Sequence, residues 1–182
     1  MSLSFCVMRA QPFHNGHAEL VVKMLRCDEA AVFLAACQDY RTHKNPWTFA
    51  ERKVMIEQAI GPVIPQGRKL SIFPLVDISD PEHWAEYVVH ELLTHFYDEQ
   101  PTEYYCGEME NGKYFNGICD VINTKRIDGS ISGTELREAL GKCGEDISEI
   151  VHALGPWVPA DSIGTARDGW LEYLKYNGRR EK

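Results

Sequence analysis

Two histidines and a glycine near the start of the chain have the spacing of a phosphate-binding turn. His14, Gly16 and His17 lie between an apolar run, 3–7, that predicts a buried strand and a segment with helical apolar spacing, 18–25. The first N–H groups of a helix have no intrahelical partners and lie at the positive end of its dipole, so this position favours an anion. Because Gly16 has no Cβ, a phosphate can approach its main chain. The alternative interpretation is a pair of surface histidines beside a helix start. The His-x-Gly-His spacing makes this the weaker interpretation.

A second polar string opens another predicted helix. Thr48 and Glu51 have the spacing of a capping box, which predicts a helix that runs to Gly61. Lys44 and Arg52 flank its N-terminus, which makes this another place for a phosphate group. The spacing alone is more often structural than functional, so both interpretations stay open.

A third capping box lies in the second half of the chain. Ser132 and Glu135 predict a helix start, and Arg137 projects from the first turns of that helix. Taken alone, this string is a routine helix start.

An aspartate and a tryptophan follow the third predicted strand. Asp77 comes directly after the apolar run 70–76. Asp80 as N-cap and Pro81 as first helical residue predict the start of the next helix, which puts Trp84 in its first turn. There the indole could stack on a flat ligand, although core packing is the usual role of an aromatic residue in such a helix.

Length and charge limit the classes of function. The 182 residues suit one domain, 1–182, with a core at about 3–140 and a C-terminal helical extension at 145–182. A net charge of −8 argues against a nucleic-acid binder, while a few local basic groups can still form a positive cleft. No apolar run approaches the ~20 residues of a membrane helix and the N-terminus lacks a signal pattern, so we expect a cytoplasmic protein with no membrane partner.

Neither the cysteines nor a second histidine pair predicts a metal site. The six cysteines include no Cys-x-x-Cys pair, which indicates neither a zinc site nor a disulfide framework. His90 and His95 resemble part of a zinc-protease string, but a spacing of five residues puts them about 140° apart on a helix. We therefore expect no metal held by protein side chains.

Short apolar strands alternate with amphipathic helices, which predicts an α/β fold. The predicted strands are 3–7, 30–36, 70–76, 103–106 and 119–122. This alternation indicates a doubly wound parallel sheet that binds ligands at the carboxyl ends of its strands. Neither a Gly-x-Gly-x-x-Gly nor a Walker A string is present, which argues against a dehydrogenase and a P-loop NTPase. The segment 108–117 is predicted to be a loop, 147–154 and 167–176 to be C-terminal helical segments, and the basic tail to be frayed.

The strings together carry a family resemblance. Arg9 to His17, with the pattern Arg-x-Gln-Pro-Phe-His-x-Gly-His, resembles the signature of archaeal-type nicotinamide-nucleotide adenylyltransferases, within the His-x-Gly-His nucleotidyltransferase superfamily. Asn45 to Arg52 is similar to a second block of these enzymes, and Ile131 to Arg137 to a second superfamily signature. The resemblance implies a Rossmann-like fold of the nucleotidyltransferase type with C-terminal helices. It also implies that ATP and nicotinamide mononucleotide (NMN) are joined into NAD with release of pyrophosphate.

The resemblance further implies which residues form the site. The implied catalytic residues are Arg9, His14, His17 and Arg137. The implied ATP- and phosphate-binding residues are Arg9, Gln11, Phe13, His14, Gly16, His17, Lys44, Ser132, Gly133, Thr134 and Arg137. The implied NMN-binding residues are Asn45, Trp47, Thr48, Arg52, Asp77 and Trp84. Mg²⁺ would arrive with ATP, and the helical extension could serve packing or a homo-oligomer contact.

Two residues depart from the family pattern. Met8 replaces the usual glycine before Arg9, and Ala10 replaces the usual phenylalanine after it, which affects the adenosine end of the site rather than the phosphate end. Two alternatives stay open. One is a sister enzyme with another phosphorylated acceptor, such as phosphopantetheine, and the other is a non-catalytic nucleotide sensor.

Overall fold

The computed structural model describes residues 1–97, 99–124 and 131–179. Five parallel strands form one sheet in the order β3-β2-β1-β4-β5. The strands are β1 (Leu3–Met8), β2 (Glu29–Leu34), β3 (Lys69–Pro74), β4 (Glu103–Cys106) and β5 (Asp120–Asn123). The predicted α/β fold with a parallel sheet is confirmed.

Burial follows the position of each strand in the sheet. All six residues of β2 are buried, as a strand with neighbours on both sides and helices over its faces requires. The edge strand β3 has four partly buried residues in its middle and an exposed residue at each end. The near-continuous apolar sequence of β2, Ala-Ala-Val-Phe-Leu, therefore suits its place in the interior of the sheet.

Seven helices lie among the described residues. They are α1 (Asn15–Met24), α2 (Phe49–Ile60), α3 (Trp84–Phe96), α4 (Met109–Gly112), α5 (Gly133–Cys143), α6 (Ile147–Leu154) and α7 (Ile163–Gly178). The capping boxes predicted at Thr48 and Ser132 are both present, with the hydroxyl and the glutamate each accepting a backbone N–H. These helix starts were predictable because a capping box is a purely local set of hydrogen bonds.

The predicted helix start at Pro81 is wrong. The helix α3 begins at Trp84, after a turn organised by the Asp80 carboxylate. Asp80 Oδ1 accepts the N–H groups of Glu82 and His83, and Asp80 Oδ2 lies 2.8 Å from His83 Nδ1. This side-chain turn competes with the helix at its N-terminal end and delays its start by three residues.

The predicted loop at 108–117 is also wrong, since it contains the one-turn helix α4. A Cβ on Gly112 would lie 2.5 Å from Val121 Cγ1 and 3.1 Å from Cys106 Sγ, so this helix packs its backbone directly onto β4 and β5. Packing of this kind has no local sequence signal beyond the glycine.

The chain folds into two compact units whose segments alternate along the sequence. The described residues of 1–8, 19–35 and 64–126 form the sheet unit, and those of 9–18, 36–63 and 127–182 form the helical unit. The prediction of one domain with a helical extension stays a prediction. The frayed tail was predicted to follow residue 176, but α7 continues to Gly178, and residues 180–182 lie outside the described residues. Within the described part of the chain, no helix is long and apolar enough to cross a membrane.

Aromatic rings form the core of the sheet unit. Phe5 from β1 and Tyr104 from β4 have ring centroids 5.0 Å apart, and Phe115 lies 4.0 Å from Tyr104. All three side chains are buried, and the cluster continues through Phe33 and the buried face of α3. This cluster fixes β1, the strand that leads into the histidine turn.

A tryptophan pair forms the core of the helical unit. Trp47 has no exposed surface, and its ring centroid lies 5.9 Å from that of the buried Trp170 on α7. A Cβ on Gly169 would lie 2.2 Å from Trp47 Cδ1, so α7 can approach the indole only because this residue is glycine.

We expect Gly169→Ala to destabilise the protein by about 1–3 kcal/mol or more, because the added methyl overpacks a buried indole. Gly164→Ala in the same helix is the matched control, since its Cβ would have nothing within 4 Å. The control should keep or raise stability by up to about 1 kcal/mol, the ordinary gain of alanine over glycine in a helix. Urea unfolding measures the free energy of unfolding of both variants, and the two values can be compared if the m-values are equal. Equal free energies of unfolding for the two variants would contradict this packing.

Candidate active site

The two histidines of the predicted phosphate turn stack on each other. The ring centroids of His14 and His17 are 3.8 Å apart, with 29° between the ring planes. The backbone N–H of His14 donates to His17 Nδ1 at 3.4 Å. An Nδ1 atom that accepts this bond leaves the proton of a neutral imidazole ring on Nε2.

Two neighbours hold the histidine pair. The buried ring of Phe13 stacks behind His17, with centroids 5.8 Å apart and 18° between the planes. A Cβ on Gly16 would lie 3.2 Å from His14 Cε1, so the absent side chain makes room for the His14 ring. Phe13 and Gly16, both predicted to bind ATP, therefore contact the histidines themselves.

The helix after this turn starts earlier than predicted. Helix α1 begins at Asn15 rather than at 18, which puts His17 in its first turn. The N–H of Asn15 donates to the carbonyl of Trp157 at 2.7 Å, and the His14 carbonyl accepts from the N–H groups of His17 and Ala18. The segment after α6 thus supplies a partner for the helix N-terminus that the sequence did not reveal.

A glutamine side chain clamps the backbone of a distant residue. Gln11 Nε2 donates to the Trp47 carbonyl at 2.9 Å, and the Trp47 N–H donates to Gln11 Oε1 at 3.0 Å. Gln11 is 3% exposed, and the Trp47 indole donates its Nε1–H to the Ala166 carbonyl at 2.9 Å. The structure therefore brings Gln11 and Trp47 together inside the protein, where both side chains bond to protein groups.

The guanidinium of Arg137 is attached to the same turn. Arg137 Nη1 donates to the Gln11 carbonyl at 2.5 Å and Nη2 donates to Thr134 Oγ1 at 3.0 Å. Burial lowers the pKa of Arg137, and the nearby positive charge of Arg9 lowers it further. Two positive charges this close together create a local potential that favours a polyanion.

The N-terminus of α5 packs against this turn as well. A Cβ on Gly133, the first residue of the helix, would lie 3.1 Å from the Gln11 carbonyl oxygen and 3.4 Å from Arg137 Nη1. Ser132 Oγ accepts the Glu135 N–H at 3.2 Å and keeps its own hydroxyl proton as a donor. The structure thus brings the string that ends at Arg137 next to the string that contains Gln11 and the two histidines.

The second string contributes a buried arginine. Arg52 has no exposed surface, and its Nη1 donates to the Arg9 carbonyl at 2.7 Å while its Nε donates to the Thr48 carbonyl at 3.3 Å. Asn45 is buried, whereas Lys44 and Arg9 are exposed. Arg52 therefore holds the main chain on both sides of the candidate site.

No motif in the sequence indicates Arg41. Its guanidinium binds the Glu51 carboxylate and the carbonyls of Pro46 and Gly169. The only sequence signal was membership in a polar loop, because its partner in α7 is 128 residues away.

Asp77 and Trp84 belong to the sheet unit. Trp84 is partly buried, and its ring meets Tyr114 and Phe115 edge-on, with centroid distances of 5.9 and 5.5 Å. Asp77 is partly buried in the segment that follows β3. Their predicted contact with NMN stays a prediction.

No group of three or more His, Cys, Asp or Glu side chains within the described ranges could hold a metal ion. His95, from the rejected zinc-protease string, stacks on Phe73 with centroids 3.9 Å apart. The absence of a protein-held metal stays a prediction.

The parallel sheet, with a His-x-Gly-His turn between its first strand and first helix, defines the class of α/β nucleotidyltransferases. Residues 6–139 match the cytidylyltransferase-like family, and the chain belongs to that family.

Two archaeal relatives cover most of the chain. The nicotinamide-nucleotide adenylyltransferase of Archaeoglobus fulgidus is 34% identical over 156 residues, which is 81% of this chain and 84% of that protein. The enzyme of the same name from Methanococcus vannielii is 31% identical over 142 residues, covering 76% of this chain and 77% of that one.

A solved structure shares the fold. It is a bifunctional NMN adenylyltransferase/ADP ribose pyrophosphatase from Francisella tularensis complexed with AMP and an Mn ion. It superposes with a TM-score of 0.73 at 18% identity, covering 98% of this chain and 53% of that chain. The chain thus spans about half the length of this structural relative, and at this identity the likeness concerns the fold.

We expect Gly16→Ala to shift the His14 ring without unfolding the protein. The new Cβ would lie 3.2 Å from His14 Cε1, closer than ordinary contact, so the ring must move by a few tenths of an ångström against its stack on His17. The Cε1–H resonance of His14 in a ¹H–¹³C NMR spectrum should move, because the ring current of the stack changes. Gly141→Ala, with nothing within 4 Å of its Cβ, is the control and should leave the resonance in place. An unmoved resonance in Gly16→Ala would contradict this packing.

Proposed function

We propose that this protein transfers the adenylyl group of ATP to NMN, forming NAD and releasing pyrophosphate. One observation carries the proposal: the stacked pair His14 and His17 and the guanidinium of Arg137 are attached to a single turn, through the Gln11 carbonyl. The relatives named nicotinamide-nucleotide adenylyltransferase, which cover most of the chain, support this choice of substrates.

The reaction needs no protein nucleophile. A 5′-phosphate oxygen of NMN attacks the α-phosphorus of ATP, a new P–O bond forms, and the bond to the β-phosphate bridging oxygen breaks as pyrophosphate leaves. The attacking phosphate is ionised at neutral pH, so no general base has to remove a proton. Catalysis then consists of positioning the two phosphates and stabilising the charge that develops between them.

In this mechanism the histidines act on the α-phosphate. His17 Nε2–H donates to an α-phosphate oxygen and stabilises its charge in the transition state, and His14 contacts the triphosphate beside it. The stack between the rings and the support of Phe13 favour this role, because a donor that is already in place needs no reorganisation during the reaction.

The leaving pyrophosphate is assigned to α5. Arg137, the hydroxyls of Ser132 and Thr134 and the N–H groups at the helix N-terminus form a cationic cradle. Gly133 lets this end of the helix approach the Gln11 carbonyl. Arg9 and Lys44, both exposed, are assigned as additional contacts to phosphate.

The residues predicted to bind NMN divide into two sets. Asn45, Thr48, Asp77 and Trp84 are assigned to NMN itself, with Trp84 as a stacking surface for the pyridine ring. Trp47 and Arg52 act indirectly, because both are fully buried and donate to backbone carbonyls. They position the loop and the helix that face the substrate, as does Gln11.

Mg²⁺ is proposed to arrive bound to the ATP phosphates, as part of the substrate. This fits the donor set of the site, which consists of imidazole, guanidinium and hydroxyl groups rather than carboxylates. The bifunctional enzyme of Francisella tularensis was crystallised with AMP and an Mn ion, which is consistent with the use of a divalent metal by that protein. We further propose a cytoplasmic location, and a homo-oligomer through the C-terminal helices stays a prediction.

Release of pyrophosphate from Mg-ATP should occur with NMN as acceptor and yield NAD, which chromatography of the product would detect. The acceptor panel should also contain nicotinate mononucleotide, phosphopantetheine and glycerol 3-phosphate. Release only with phosphopantetheine or glycerol 3-phosphate would replace the proposal by the sister-enzyme alternative. Binding of ATP with no release from any acceptor would replace it by the nucleotide sensor.

Two substitutions at His17 separate its donor from its packing. His17→Asn can still accept the His14 N–H near the position of Nδ1 but lacks the Nε2 donor, so kcat should fall by about 10²–10³ with little change in ATP affinity. His17→Gln places an N–H₂ near the position of Nε2 and should recover part of the rate. Steady-state kinetics and ATP titrations of both variants test this role. An equal loss of kcat in the two variants would contradict it, and so would a loss of ATP affinity that parallels the loss of kcat.

A further inference from the structure

The side chain of Arg41 makes four hydrogen bonds to three partners. Nη2 donates to Glu51 Oε1 at 2.6 Å and Nη1 donates to Glu51 Oε2 at 3.0 Å. Nη1 also donates to the carbonyls of Pro46 at 2.8 Å and Gly169 at 3.1 Å. The side chain is only 12% exposed, so these bonds are poorly screened by water.

Each partner belongs to a different part of the helical unit. Glu51 is the capping-box residue of α2, and its Oε2 also accepts the N–H and the hydroxyl of Thr48, at 2.8 and 3.0 Å. Pro46 lies in the loop that carries Lys44 and Asn45. Gly169 lies in the middle of α7. One guanidinium thus joins the loop 42–48, the N-terminus of α2 and the C-terminal helix α7.

The backbone of Arg41 is fixed from α7 as well. Asn177 Nδ2 donates to the Arg41 carbonyl at 3.2 Å. Arg41 has a φ of +57°, in the left-handed region that is unfavourable for a residue with a side chain. Such a conformation persists where surrounding contacts determine it, which agrees with a residue placed by its partners rather than by local preference.

The loop that Arg41 anchors has short-range bonds of its own. The Asn45 N–H donates to Thr42 Oγ1 at 3.0 Å and the Thr42 N–H donates to the Asn45 carbonyl at 3.2 Å. These bonds close a turn that includes the exposed Lys44. They set the shape of the turn, whereas the bonds of Arg41 set where the turn lies relative to α2 and α7.

We propose that Arg41 is a positioning residue for the acceptor substrate: it holds the loop 42–48 against α7 so that Asn45 and Thr48 are in place before NMN binds. The inference rests on the proposed function for the identity of the acceptor. It makes α7, which lies beyond the family match at 6–139, part of what orders the site. A lysine cannot replace this arginine, because an ammonium group has no planar fork for the bidentate carboxylate bond.

The test compares two substitutions at this junction with a matched control. Arg41→Lys keeps the charge and loses the fork. Glu51→Gln keeps an acceptor for the capping box but puts an amide N–H₂ opposite Arg41 Nη2. Arg26→Lys is the control, since Arg26 makes a similar bidentate bond to Glu103 in the sheet unit, at 2.7 and 3.2 Å.

Both junction variants should raise KM for NMN by on the order of tenfold, with kcat within a few-fold of the wild-type value. Amide hydrogen exchange of the peptide 42–48, measured without substrate, should become faster in both. Arg26→Lys should leave KM and this exchange unchanged. If Arg41→Lys fails to fold, Glu51→Gln carries the same two measurements.

Either of two results would overturn the inference: unchanged exchange and KM for NMN in a folded junction variant, or a loss of kcat at constant KM. Failure of the proposed function looks different, since the wild-type protein would then form no NAD while the exchange difference persisted.

Discussion

The candidate site depends on one buried amide. The Gln11 side chain both donates to and accepts from the backbone of Trp47, so the two residues define each other's position. Without this clamp, a buried N–H and a buried carbonyl would lose their partners, at a cost of roughly 1–3 kcal/mol each. The residues to which we assign the chemistry surround this clamp, because the histidines follow Gln11 by a few residues and Trp47 leads directly into α2. The Gln11 carbonyl also accepts the bond from Arg137.

Two guanidinium groups complete this arrangement from opposite directions. Arg52 of α2 binds the Arg9 carbonyl and Arg137 of α5 binds the Gln11 carbonyl, so cationic side chains hold the main chain of the turn on both sides of Ala10. The two arginines differ in what remains for a ligand. Arg52 is fully buried, whereas Arg137 is half-buried and two of its five N–H groups account for the bonds described. A turn fixed in this way needs little reorganisation when a ligand binds, and such preorganisation is what the proposed phosphoryl transfer requires of a protein.

The sequence predicted features that depend on neighbours in the chain. The capping boxes at Thr48 and Ser132 and the buried strand β2 follow from local spacing, and all three are confirmed. The start of α3 was wrong because Asp80 forms a competing turn, and α4 was missed because it depends on packing against β5. A motif indicates which residues occur together but not which way each one points. For this reason the inward direction of Trp47 and the contacts of Arg41 became evident only in the structure.

The helix α7 shows why the boundary of a family match is a poor guide to the boundary of a site. The match ends at residue 139, yet Gly169 leaves room for the Trp47 indole and offers its carbonyl to Arg41. Trp47 in turn is clamped by Gln11, which precedes the histidine turn. Each of these contacts is short and involves buried groups, so a displacement of α7 by even one ångström would have to be absorbed by the Trp47 backbone or by the clamp. The C-terminal helix is therefore part of what sets the geometry of the histidine turn, although it contributes none of the motifs by which the family is recognised.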